Sequence, residues 1–219
     1  LAEAGYQRTT VVPILLEPVG AAAPDPECAA RLAGEGANVR WLFVGRLAAN
    51  KAQHDVVKAF AAYRRFHDPS ARLDLVGGAS SDLYTSALRR FIEELGIQDA
   101  VMLTGGVSAA ELAAHYAAAD VFVVLSEHEG FCVPVLEAMQ HEVPIVAYGA
   151  AAVPETLDRA GLLLDVKDPC TVAAAVARVV HDDGLRRQLV AAGTRRRRDF
   201  DLAKTGPAFV AAVESVPVP

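Results

Sequence analysis

The chain has 219 residues, 53% of them hydrophobic, and a formal net charge of −6. That length and apolar content support one sizeable core with appendages, and the acidic balance argues against the basic footprint of a nucleic-acid binder. No run approaches the ~20 uninterrupted apolar residues of a membrane-spanning helix, the N-terminus lacks a signal-peptide layout, and Cys28, Cys132 and Cys170 share no disulfide or zinc spacing, so a soluble protein of a reducing, cytoplasmic compartment is expected.

Residues 1–36 hold four prolines in "VVPILLEPVGAAAPDPE" and no strand–helix alternation, and they read as an interdomain linker or junction. From residue 39 the pattern changes. Short β-branched runs at 39–44, 71–76, 100–103, 120–125, 143–148 and 161–164 alternate with segments of helical period such as 52–67 and 81–95. Most of the runs are continuously apolar, as strands buried on both faces are. The expected fold is therefore α/β: a doubly wound, Rossmann-like parallel sheet of about six strands, filling 37–200. "SAAE" at 108–111 is a capping box, and "DPCT" at 168–171 offers Asp168 as N-cap with Pro169 behind it. Beyond 200 the pattern reads as late helices with no following strand, a C-terminal helical tail over 201–219. The "RRRR" run at 195–198 reads as a solvated helix end.

In an open parallel sheet, ligands collect outside the carboxyl ends of the strands. The first such end carries "GRLAANKAQ", where Gly45 permits an irregular turn and Arg46 and Lys51 follow. A cation near a helix N-terminus opposes the dipole unless an anion sits there too, so phosphate is the expected ligand. This is not a P-loop, because Asn50 and Ala52 stand where its Gly and Ser or Thr belong. The second end has Gly77 and Gly78, which suit a close approach or a simple turn. The third has Gly106 and Val107, which either read a base edge or only turn the chain.

The fourth end is "SEHEGFCVPVLEAM", residues 126–139. Glu129 falls on the loop, and Pro134 suits the first position of a helix that carries Glu137 in its first turn or so. Gly130 and the amides of Phe131, Cys132 and Val133 form an anion-binding concavity, while ionised carboxylates are acceptor-only and suit vicinal hydroxyls. Two acids beside cations describe a ligand that alternates sugar, diphosphate and sugar. Glu127 and His128 read as solvent-facing. No metal-ligating constellation appears, so binding without metal, and without a cofactor beyond such a donor, is expected.

These residues resemble the E-x7-E signature of the retaining, nucleotide-sugar-dependent group 1 glycosyltransferases, which have a GT-B type fold of two Rossmann-like domains. "VGRLAANK", "LVGG", "LTGGVSAAELAAHYAAADVFVVLSEHEGF", "VPIVAY" and "AAVPETLDRAGLLLD" continue the resemblance in order over about residues 36–185. It implies that Glu129 bonds the donor sugar and Glu137 the ribose, that Arg46 and Lys51 hold the diphosphate and stabilise the leaving nucleotide, and that Phe131, Cys132 and Val133 line sugar and phosphate. The segment around Val107 would hold the base. Cys132, Ala52 and the pair Ala151–Ala152 stand where the family usually has glycine. The resemblance further implies a donor-binding C-terminal half, with "LAEAGYQRTTVVPILLEP" as the linker and the acceptor-binding N-terminal domain absent from the chain. Two other functions share these features: a non-catalytic nucleotide-sugar-binding module, and a glycoside phosphorylase of the same fold.

Overall fold

The computed structural model describes residues 12, 14–16, 22–36 and 38–215; most of the expected linker, residues 1–18, lies outside them. Six strands form one parallel sheet: β1 (Arg40–Val44), β2 (Arg72–Val76), β3 (Val101–Gly105), β4 (Val121–Val124), β5 (Ile145–Tyr148) and β6 (Leu162–Leu164), in the order β3-β2-β1-β4-β5-β6. The chain winds outward from β1 to β3, then returns to the other side of β1 and winds outward again. The switch point of this doubly wound sheet therefore lies between β1 and β4, which pair through Trp41 with Val121 and Leu42 with Phe122.

Consecutive residues of a strand face opposite sides of a sheet. Trp41, Leu42 and Phe43 on β1, and Val121, Phe122 and Val123 on β4, are all at most 1% exposed, so helices cover both faces. These helices are α1 (Pro26–Gly34), α2 (Gln53–Phe66), α3 (Asp82–Glu94), α4 (Ala109–Ala118), α5 (Val133–Gln140), α6 (Val153–Leu157), α7 (Pro169–His181), α8 (Asp183–Arg197) and α9 (Leu202–Glu214). The main helix contacts are α2 with α7, α1 with α4, and α5 with α8. Among the described residues no helix is long and apolar enough to cross a membrane.

Local chemistry explains several starts. The expected capping box is present on α4: the Ser108 hydroxyl accepts from the Glu111 amide and the Glu111 carboxylate from the Ser108 amide. Asp168 caps α7 through the Thr171 amide with Pro169 behind it, and Ser81 caps α3. Helix α1 lies in the segment expected to be a junction. The prolines there read as breakers, but Pro26 occupies a first-turn position and Asp25 caps the helix through the Cys28 amide.

A buried ionic knot fastens α1 to the sheet. Arg40 donates to both oxygens of Asp74 at 2.9 and 3.0 Å, to Glu35 at 2.7 Å and to the Leu32 carbonyl at 3.1 Å; His115 on α4 meets Asp74 at 2.8 Å. Arg40, Asp74 and His115 are each no more than 3% exposed. Burial works against the Arg40 charge, but Asp74 and Glu35 outweigh it and hold its pKa above the ordinary value.

The arginine run departs from a purely solvated helix end. Arg195 and Arg198 are exposed. Arg196 is half-buried, donating to the carbonyls of Glu155 and Thr156 on α6 at 2.7 and 3.2 Å, and Arg197 pairs with Asp201. A helix end that packs on another element uses its cations internally, which side-chain type alone cannot reveal.

Candidate functional site

All six strands being parallel, the loops that follow them gather on one edge of the sheet. The loops after β1 and β4 face each other across the switch point. The Glu127 amide donates to the Asn50 carbonyl at 2.9 Å, and Lys51 Nζ donates to Glu129 Oε2 at 2.6 Å. The structure thus brings together one cation and one acid that lie 78 positions apart in the chain. Their side chains are 20% and 9% exposed, and an ammonium has three donors, so Lys51 can hold Glu129 and an anion together.

Lys51 ends a 3₁₀ turn, Ala49–Lys51, and Ala52 then adopts a left-handed conformation at φ 52° to start α2. Arg46, on the same loop, is exposed, and its carbonyl accepts from the buried Gln53 amide at 2.8 Å. Gln53 in turn accepts from the Tyr84 hydroxyl at 3.0 Å. Sequence reasoning passed over Gln53 because an amide side chain at a helix start looks like surface.

Helix α5 begins at Val133, one residue before Pro134, so Glu137 lies in its second turn, beyond the reach of a first-turn dipole contact. Its N-cap is Cys132, which is left-handed at φ 69°, and no side chain caps the helix. The amides that open α5 therefore have no side-chain acceptor among the described residues. Burial, then the Glu129 carboxylate, push the Cys132 thiol up to about 12, so it is a neutral filler rather than a nucleophile.

Glu137 accepts from the Tyr116 hydroxyl at 2.8 Å. Burial raises its pKa, and the Tyr116 hydrogen bond opposes that rise; the wholly buried Tyr116 is itself pushed well up, by burial and by Glu137. One carboxylate oxygen is thus fixed by the Tyr116 hydroxyl. Tyr116 also stacks on His141, ring centroids 5.0 Å apart and nearly parallel. It lies on α4, 21 positions before Glu137, and nothing local in the sequence ties the two together.

The remaining predicted residues are placed as follows. Gly130 is exposed and Phe131 half-buried. Gly77 packs on Gly45: a Cβ at Gly77 would come within 2.2 Å of the Gly45 carbonyl oxygen, so its glycine is required by backbone meeting backbone. Gly106 and Val107 follow β3, two strands outward from β1 on the same edge, with Gly106 exposed and Val107 packed on the core.

Glu127 is exposed, as expected, but paired: Lys167 bridges it at 3.0 Å to Asp55 at 2.7 Å and lies 5.3 Å from the Tyr148 ring centroid. His128 is exposed. Burial would raise the Asp55 pKa, but Lys167, Lys58 and His54 overcome it and lower it. Ser126, two residues beyond β4, is 1% exposed and its hydroxyl has no partner among the described residues. Neither Lys167 nor Ser126 stood out in the sequence, since nothing local ties a lysine after β6 to the loop after β4.

Comparison with known proteins places the chain in a family. The model of the family described as glycosyl transferases group 1 matches residues 33–196. The chain is 35% identical over 188 residues to a GDP-mannose-dependent alpha-(1-6)-phosphatidylinositol monomannoside mannosyltransferase of Mycobacterium tuberculosis, covering 80% of this chain and 46% of that protein. It is 32% identical over 167 residues to a D-inositol 3-phosphate glycosyltransferase of Corynebacterium glutamicum, covering 74% and 40%. The chain thus spans less than half the length of these relatives. Among solved structures, the Anabaena HepE protein in complex with UDP and glucose shares the fold at a TM-score of 0.77 and 22% identity, over 89% of this chain and 54% of that one. The C-terminal domain of a group 1 glycosyl transferase from Francisella tularensis does so at 0.65 and 21%, over 80% and 92%. With a doubly wound six-stranded sheet, a family match over most of its length and relatives above 30% identity, the chain belongs to the group 1 glycosyl transferases, of GT-B type fold.

Proposed function

We propose that this chain is the donor-binding half of an enzyme that moves a sugar from a nucleotide-diphosphate sugar to an acceptor with retention of configuration. The observation that carries the reading is the contact of Lys51 with Glu129 across the switch point, beside the uncapped start of α5. Lys51, Arg46 and the Val133 amide hold the diphosphate and stabilise the charge that grows on it as it leaves. Glu129, of the E-x7-E pair, accepts from the donor sugar. Glu137, steadied by Tyr116, accepts from the ribose. Gly45, Gly77, Gly106 and Val107 shape the nucleotide end, and Gly130, Phe131, Cys132 and Val133 the sugar end. The named donor of the mycobacterial relative, GDP-mannose, and the UDP and glucose in the HepE complex belong to the same ligand class.

Transfer needs donor and acceptor held in reacting geometry, and much of the acceleration comes from that positioning. The acceptor wall is assigned to a second domain upstream of this one, so these 219 residues alone are expected to hydrolyse donor slowly at most. The test is titration with UDP, GDP, ADP and their sugars by calorimetry, followed by turnover with an acceptor panel, on this chain and on a longer chain that includes the upstream domain. Binding of one diphosphate series here, with transfer only by the longer chain, supports the reading. Absence of binding, or robust transfer by these residues alone, overturns it.

A further inference from the structure

Behind the loop that carries Glu129 runs a closed circuit of contacts. The Phe131 carbonyl accepts from the Thr156 hydroxyl at 2.7 Å. The Thr156 carbonyl accepts from Arg196 Nε at 3.2 Å, and the neighbouring Glu155 carbonyl from Arg196 Nη2 at 2.7 Å. The same guanidinium lies 4.6 Å from the Phe200 ring centroid, and Phe200 meets the Phe131 ring edge-on, centroids 5.2 Å apart at 81°. The circuit therefore begins and ends on Phe131, gripping its carbonyl from one side and its ring from the other. Nη1 is held as well, by Asp199 at 3.0 Å. Thr156 is 2% exposed, so its hydroxyl has exchanged water for this one carbonyl.

We propose that Arg196 is a positioning residue for the loop that ends at α5. Its planar fork suits the two carbonyls at the end of the short helix α6, groups that have no partner within a helix that ends there. Pinned by Arg196, Thr156 fixes the plane of the peptide that joins Phe131 to Cys132, and Phe200 fixes the ring. The amides of Cys132 and Val133 then inherit one orientation. That orientation includes the left-handed Cys132, which a β-carbon disfavours by roughly 1–2 kcal/mol. A strained residue persists only where its surroundings over-determine it, and this circuit supplies that determination from 64 positions along the chain, taking Arg196 from Cys132. The ligand-binding consequence rests on the donor-site reading above; the mechanical linkage does not.

The experiment compares Arg196→Met, which keeps an unbranched apolar side chain but removes the guanidinium, with Arg195→Met on the exposed neighbour. The first readout is backbone amide exchange. Arg196→Met is expected to speed exchange of the Val135 amide, which donates to the Cys132 carbonyl at 3.0 Å, by about tenfold while β1 and β4 stay as in the parent chain, and Arg195→Met to change neither. Unchanged exchange at Val135, or an equal rise there and in β1 and β4, overturns the proposal. Should Arg196→Met not fold, Phe200→Leu gives the same decision, with a smaller localised rise expected. The second readout is calorimetry with UDP-glucose, GDP-mannose and the free diphosphates: the sugar-bearing ligands are expected to weaken about fivefold and the free diphosphates less than about twofold. Equal losses for both overturn the ligand-binding part of the proposal. If the parent chain binds none of these probes, the donor-site reading fails, and the exchange readout still decides the linkage.

Discussion

Six turns lead from a strand into a helix on the ligand edge of the sheet, and they divide by place. After β2, β3 and β6 the helix is capped by a side chain, from Ser81, Ser108 and Asp168. After β1, β4 and β5, three neighbours in the sheet, no side chain caps the helix, and a left-handed non-glycine residue sits at the turn: Ala52, Cys132 and Ala151. A cap is worth about 1 kcal/mol and a left-handed residue with a β-carbon costs roughly 1–2 kcal/mol. The central turns thus forgo local stability that the outer turns keep. What they retain is a set of helix starts that no side chain among the described residues caps, flanking Lys51 and Glu129.

The sharpest way to break this comparison is at the centre. Lys51→Met should weaken nucleoside diphosphate binding on the order of tenfold to a hundredfold and leave nucleoside binding nearly unchanged, by calorimetry, because a charge-assisted contact to phosphate is lost. Equal losses for both ligands would remove the phosphate assignment. The two acids come next. Glu137→Ala should weaken the free nucleotide about tenfold, whereas Glu129→Ala should spare it and weaken only the sugar-bearing donor, each change removing one hydroxyl contact to a carboxylate. The reverse pattern would exchange their roles.

At the outer turns the effect should appear in stability and not in affinity. Asp168→Ala should lower unfolding free energy by about 1 kcal/mol with diphosphate affinity unchanged, as denaturant melts and calorimetry on one sample would show. Smallest of all, Ala151→Gly should raise stability by about 0.5 kcal/mol: Ala151 is exposed, so relief of its left-handed strain loses no packing and is offset only in part by the freedom glycine adds to the unfolded chain. A loss of stability at that position would mean that the central turns are not strained.

The division between these turns was half visible in the sequence. Caps are local: "SAAE" and "DPCT" declare themselves within four residues, and the alternation of apolar runs with helical periods is likewise short-range, so six strands could be read in order. The three departures from the family's glycines at Ala52, Cys132 and the Ala151–Ala152 pair were legible as small-for-small exchanges. That left-handed backbone falls on Ala52, Cys132 and Ala151 is a property of φ, which the letters do not carry. Contacts between distant stretches were also out of reach. Lys51 was paired with phosphate in the sequence, whereas the structure gives it Glu129 as a partner. Arg196 looked like one of four equivalent cations, and only the packing of α8 against α6 and Phe131 singles it out. Helix α1 was hidden for another reason: proline disrupts a helix interior yet favours its first turn, so Pro26 has opposite meanings according to a boundary that composition does not mark.

The knot of Arg40, Asp74, Glu35 and His115 also bears on how this chain can diverge. Removing one member of a buried ionic group costs roughly 3–5 kcal/mol because its partner is left charged and unsolvated, whereas exchanging the whole group for apolar side chains of similar volume is often neutral. Single steps out of the arrangement are therefore blocked, while the concerted step, needing several changes at once, is rare. Across homologous chains the four positions should accordingly covary as a block, kept together or lost together, so that their joint presence marks common descent more reliably than any one of them.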